Sequence, residues 1–91
     1  MSIKDSLEQF VASYHIPMDF KERRLAIQRE DIELQTALIE YGVDPSELID
    51  ELADRILTGM LFLMSLHRDP EAVVREKIEK VFEKYSKQSE G

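Results

Sequence analysis

Apolar residues recur along this chain at intervals of three and four, the spacing that lines one face of an α-helix, and they nowhere alternate as a strand requires. Ile3, Leu7, Phe10, Val11 and Tyr14 form the first stripe. Ser2 with Asp5 resembles a capping box, and His15-Ile16-Pro17 breaks the helix near Tyr14, because proline disfavours helical geometry in the residue before it. A second helix is expected from about residue 19 to residue 41, with Gly42 as a left-handed stop. Asp44 caps a third, with Pro45 at its first position, reaching about Leu66. Asp69-Pro70 repeats that device for a fourth helix, which is expected to fray after Tyr85 into the polar tail 86–91. The expectation is an all-α fold, a four-helix bundle-like protomer forming one domain over residues 1–91, with no internal repeat or linker.

The helix faces carry more information than the helix count. Ala26, Ile27, Leu34, Ala37, Leu38 and Tyr41 share one broad face of the second helix, and Glu30 sits inside it with Glu33 at its edge. Leu25, Ile32 and Ile39 form a second stripe nearly opposite. A helix with two apolar stripes must bury both, so one is expected to face its own bundle and the other a second subunit. On the third helix Glu47, Glu51 and Asp54 line a strip that continues through Thr58, Leu61, Phe62 and Ser65, while Ile49, Leu52, Ile56, Met60 and Leu63 occupy the other side. Glu51 and Asp54 are thus expected at the mouth of a packed core. Gly59 in mid-helix costs about 1 kcal/mol relative to alanine, with close approach of another helix as the expected compensation. The fourth helix sorts into an apolar strip (Val74, Ile78, Val81, Phe82, Tyr85), a basic strip (Lys77, Lys80, Lys84, Lys87) and an acidic one, so its lysines either rim a bundle cavity or pair with glutamates on a solvated face.

Composition narrows the chemistry. A chain of 91 residues buries proportionately little of its surface, which again favours assembly into a homodimer or homotetramer. With no cysteine there are no disulfides, thiolate metal sites or cysteine nucleophiles. The apolar run 56–66 is about half the length of a membrane span and is expected to be a buried helix; without a signal-peptide pattern, a cytoplasmic location is expected. The net charge of −7 argues against nucleic acid as a partner but leaves a nucleotide open, because a bound cation reverses the local sign. His15 and His67 fall at helix ends, where exposed or capping histidines are common, and no Ser-His-Asp set, glycine-rich phosphate loop or His-x-x-x-His pair is present.

The chemistry then rests on two acidic pairs, Glu30-x-x-Glu33 and Glu51-x-x-Asp54. Residues three apart on a helix project from neighbouring turns of one face, so each pair can offer two carboxylates to a shared point. Two such helices packed antiparallel would surround a hard divalent cation with oxygen, the ligand Mg²⁺ prefers, with Mn²⁺ as a substitute. Four carboxylates that close cannot all stay ionised without a cation.

These motifs resemble the MazG-like all-α nucleoside triphosphate pyrophosphohydrolases, whose relatives include dimeric dUTP pyrophosphatases and phosphoribosyl-ATP pyrophosphohydrolases. The segment RLAIQREDIELQTAL at 24–38 looks like the first metal helix of that family, and ELIDELADR at 47–55 looks like the second. FVASYHIPM at 10–18 is similar to the amino-terminal helix and proline turn, and KIEKVFEKY at 77–85 to the closing helix. Two positions depart from the family pattern: Arg29 stands where a second glutamate is common, and Val81 where an asparagine often contacts substrate.

Glu33, at the edge of its stripe, is the candidate to take the proton of an attacking water, and the resemblance implies hydrolysis of a nucleoside triphosphate between its α and β phosphates, with Glu30, Glu33, Glu51 and Asp54 holding Mg²⁺. It also makes Lys77 and Lys80 candidates for the distal phosphates, with Tyr85 beside them. Phe10 and Tyr14 could line the base, although their core periodicity favours packing. The alternative is a non-catalytic helical interaction module whose acidic residues serve solubility or partner contacts.

Overall fold

Each helix begins where a short polar side chain takes up a free backbone N–H. In the computed structural model, which describes residues 2–40 and 44–90, Ser2 Oγ accepts from the Asp5 N–H at 3.1 Å and Asp19 Oδ2 from Glu22 at 3.2 Å. Asp44 Oδ1 accepts from Ser46 at 3.1 Å and Asp69 Oδ1 from Glu71 at 3.0 Å. These contacts open α1 (Ile3–Tyr14), α2 (Phe20–Ile39), α3 (Pro45–Ser65) and α4 (Pro70–Glu90), and no strand occurs among the described residues. His15 and His67 adopt positive φ at the ends of α1 and α3, 52° and 61°, and both are exposed. The expected stop at Gly42, and Tyr41 with it, lie outside the described residues. Helix α4 does not fray at Tyr85 but continues to Glu90, and a Glu83–Lys87 ion pair of 3.3 Å spans one turn of the added segment.

Helices α2 and α3 form an antiparallel hairpin and supply most of the tertiary packing. Phe20 meets Phe62 edge to face with centroids 5.3 Å apart at one end of the seam, and Asp31 pairs with Arg55 further along it. Helices α1 and α4 attach more thinly. On α4 only Pro70 and Val73 are covered; every other described side chain of that helix is exposed. Among the described residues the buried apolar core of the single chain is correspondingly small: Leu7, Leu61 and Pro70.

Much of what the sequence marks as apolar therefore stays open. The outer α2 stripe is exposed as expected, with Ile32 at 65% and Ile39 at 75%. Three other expectations are corrected. The run 56–66 is only partly buried, with Thr58 and Leu61 enclosed but Ile56, Leu57 and Leu66 exposed; Leu38 is exposed rather than seated in the core; and Tyr14, 71% exposed, stacks with Phe10 at a centroid separation of 5.5 Å. The common reason is geometric: two helices side by side cover one face each, and α4 projects too far from the hairpin to cover a second. The accessible surface is 7175 Å², against about 5,500 Å² for a compact monomer of this mass. The radius of gyration is 16.0 Å, against about 12 Å. No described helix is long and apolar enough to cross a membrane.

Gly59 is not explained by a neighbouring helix. A Cβ built there meets the Arg55 Nη1 of its own helix at 3.4 Å, an ordinary contact with the end of a flexible side chain. Gly59→Ala is accordingly expected to stabilise the chain by roughly 0.5–1 kcal/mol through helix propensity and a less flexible unfolded state. Urea denaturation checks this; a loss of stability would mean that a second subunit packs against the glycine.

Candidate metal centre

The hairpin places acidic residues of α2 opposite acidic residues of α3. One carboxylate oxygen from each of Glu30, Glu51 and Asp54 lies within 4.8 Å of the other two, and all three residues are partly buried. Glu33 is exposed at the edge of this group, close enough for its charge to act on the Glu30 carboxyl. The structure thus brings three of the four acidic positions to one point and sets the fourth beside them.

Two oxygens in this group lack any partner. Glu30 Oε2 and Glu51 Oε2 are shielded from solvent and take no hydrogen bond among the described residues. Shielding weakens their hydration, and repulsion acts in the same direction: burial first, then the charges of Glu33 and Asp54, hold both Glu30 and Glu51 above the ordinary glutamate value. Unpartnered buried polar atoms are uncommon in folded proteins because their desolvation goes uncompensated. A hard cation bound by these carboxylates would compensate it.

The surroundings fix the orientation of the group. Arg55 Nε donates to Asp31 Oδ1 across the seam, so the residues following Glu30 and Asp54 form a cross-helix ion pair next to the carboxylates. Sequence reading missed this contact, although complementary charges at the next position of both acidic motifs signalled it. Thr58 is buried and spends its hydroxyl on the Asp54 carbonyl oxygen at 2.8 Å, leaving the Asp54 carboxylate free. Beside the group opens a cleft of about 360 Å³ whose described lining comes from α2, its cap Glu40 and α3, among them Glu33, Glu47, Asp50 and Glu51. No basic residue is among the described residues that line it.

The remaining sequence candidates stand apart from this cleft. Lys77 and Tyr85 border an apolar groove of about 500 Å³ along α4, and Lys80 lies beside Glu83, Lys84 and Lys87 on another exposed strip. Neither lysine rims the acidic cleft in the single chain, because α4 leaves the hairpin after Val73. Tyr14 contacts Phe10 and does not line the cleft either. No protein-family model matches the chain, and neither a curated protein nor a solved structure does. The motif resemblance therefore rests on the residues themselves.

The raised values of Glu30 and Glu51 give a signed expectation for pH. A carboxyl whose folded value exceeds its unfolded one binds more protons in the native state, so stability falls as pH rises from about the ordinary value of 4.5 through the raised value. Glu30→Gln and Glu51→Gln are expected to be more stable than the parent at neutral pH without metal, with the gap closing below pH 4.5. Thermal melts across pH in EDTA measure it; a gap that widens in acid contradicts the assignment.

Proposed function

We propose that this chain is a Mg²⁺-dependent nucleotide pyrophosphohydrolase, cleaving (d)NTP to (d)NMP and pyrophosphate. One observation carries the reading: three convergent carboxylates, two of them with shielded and unpartnered oxygens, form an all-oxygen donor set suited to a hard divalent cation. Glu30, Glu51 and Asp54 hold the ion. When bound, it offsets charge on the phosphate oxygens and favours ionisation of a nearby water.

Glu33 fits the role of general base. It sits outside the convergent trio yet lines the cleft beside it, so it can accept a proton without surrendering a ligand position. Water contributes its oxygen to phosphorus, its proton passes to Glu33, the α–β bridging P–O bond breaks, and pyrophosphate departs. The acidic cleft repels a bare polyphosphate, which favours a substrate already carrying a cation. Lys77, Lys80 and Tyr85 reach the distal phosphates only in an assembly that brings α4 across a seam.

The open surface supports such an assembly. An excess of roughly 1,700 Å² over a compact monomer is on the scale of the larger subunit interfaces, and it is rich in apolar side chains. We infer a homodimer or a dimer of dimers, with the stripe of Leu25, Ile32 and Ile39 as part of the contact. The solution mass should be a multiple of 10.6 kDa. Replacing Ile32 and Ile39 together by glutamate is expected to return it to that of one chain, read by sedimentation equilibrium.

Catalysis is tested with a panel of NTPs and dNTPs in Mg²⁺, following pyrophosphate. Glu51→Gln or Asp54→Asn is expected to lower kcat/KM by at least about 100-fold, the loss of roughly 3 kcal/mol of transition-state stabilisation. Mg²⁺ at a hundred times its Kd is expected to stabilise the parent by about 2.7 kcal/mol and these variants far less. The competing reading, a non-catalytic helical interaction module, draws on the exposed apolar groove of α4. It is preferred if no nucleotide yields pyrophosphate and Mg²⁺ leaves the melting temperature unmoved.

A further inference from the structure

Helix α4 carries a long apolar face with none of the described chain laid against it. Val74, Ile78, Val81, Phe82 and Tyr85 line an open groove of about 500 Å³, and all five are exposed, Phe82 at 74%. Positions 74, 78, 81 and 85 repeat at intervals of four and three, the spacing of a helix packed side by side with another helix. Apolar surface of this extent marks a contact. The residues that border it narrow the choice of partner. At about 100° per residue, Lys77 and Lys84 run along one edge and Arg75 lies at the other, while Glu76, Glu79 and Glu83 sit on the back. Two copies of α4 laid face to face, parallel or antiparallel, would set basic edge against basic edge. The face calls for an acidic-edged partner.

The hairpin presents one. The outer stripe of α2 is exposed at Leu25, Ile32 and Ile39, and Ile32 also lines the cleft that gathers Glu33, Glu40, Glu47 and Asp50. Register agrees with charge: Glu33 and Glu40 are seven residues apart, as are Lys77 and Lys84, about 10 Å along either helix axis. The same interval separates Ile32 from Ile39 and Ile78 from Tyr85. We propose that α4 of a second copy lies along the outer face of α2, with its apolar strip on Ile32 and Ile39 and its Lys77 and Lys84 over the acidic cleft. The exchange is mutual, because two such contacts related by a two-fold axis close the pair and leave neither groove open. This rests on the assembly inferred above and specifies its contact. Two chains that each covered their excess of roughly 1,700 Å² would bury about 3,400 Å², within the range of permanent homodimers. The acidic cleft then becomes a composite site, since the bases absent from its own described lining come from the other copy.

The test uses the full chain in EDTA, so that no cation masks the cleft. One variant reverses the arm, Lys77→Glu with Lys84→Glu; the other reverses the cleft, Glu40→Lys with Glu47→Lys. All four residues are exposed, and Glu33 is left in place because of its role in the proposed reaction. Sedimentation equilibrium is expected to show each variant alone associating at least about tenfold more weakly than the parent, with its helix content intact by circular dichroism. An equimolar mixture of the two is expected to regain association to within about threefold of the parent, because both contacts of the mixed pair again join opposite charges. A cleft variant that associates as well as the parent overturns the inference in favour of α4 pairing with α4. A mixture no tighter than its components also overturns it, as does loss of helix in either variant. If the parent dimerises and both variants match it, this contact falls and the assembly stands; a parent with the mass of one chain overturns both and leaves α4 to an acidic helix of another protein. Recovery in the mixture upholds the inference even if no nucleotide yields pyrophosphate.

Discussion

The antiparallel contact between α2 and α3 is the constraint on which the rest of this structure depends. It must bring apolar surface together and, in the same act, drive carboxylates against one another. Leu61 and the Phe20–Phe62 contact represent the favourable side of that balance, and the convergence of Glu30, Glu51 and Asp54 the unfavourable side. The Asp31–Arg55 pair stands between them, but a partly exposed ion pair contributes only up to about 1 kcal/mol. An arrangement that places like charges together and leaves two carboxylate oxygens unpartnered is poor design for stability and good design for a cation.

The same economy explains the link between site and assembly. A chain this short cannot devote a seam to polar chemistry and also enclose a complete core. Here the apolar positions that a closed bundle would cover lie open on the outer face of α2, on the far side of α3 and along α4. A second copy would supply the missing layer. Repulsion among its carboxylates opposes the approach of the two helices, so the hairpin would gain from that support.

Charge within the seam matters more than charge over the whole chain. The net value of −7 is a sum over the whole chain, whereas the seam gathers Glu30, Glu51 and Asp54 beside a cleft lined by further acidic residues. A charge cluster of this kind acts at close range in a partly desolvated groove, where screening by salt is weaker than at the surface.

The helices and their boundaries were legible in the sequence because their causes are local. Ser2, Asp19, Asp44 and Asp69 cap the turns that follow them, and proline at Pro45 and Pro70 fixes where two helices start. The carboxylate trio was legible for a related reason: positions three apart on a helix share a face whatever the helix packs against. Other features depended on distances that no local pattern encodes. Which apolar stripe would be covered, whether the α4 lysines would meet the acidic cleft, the Asp31–Arg55 pair and the burial of Arg23 were decided by how far α4 swings from the hairpin and by the register of α2 on α3. Periodicity assigns a residue to a face, but only the tertiary structure determines whether another element lies against it.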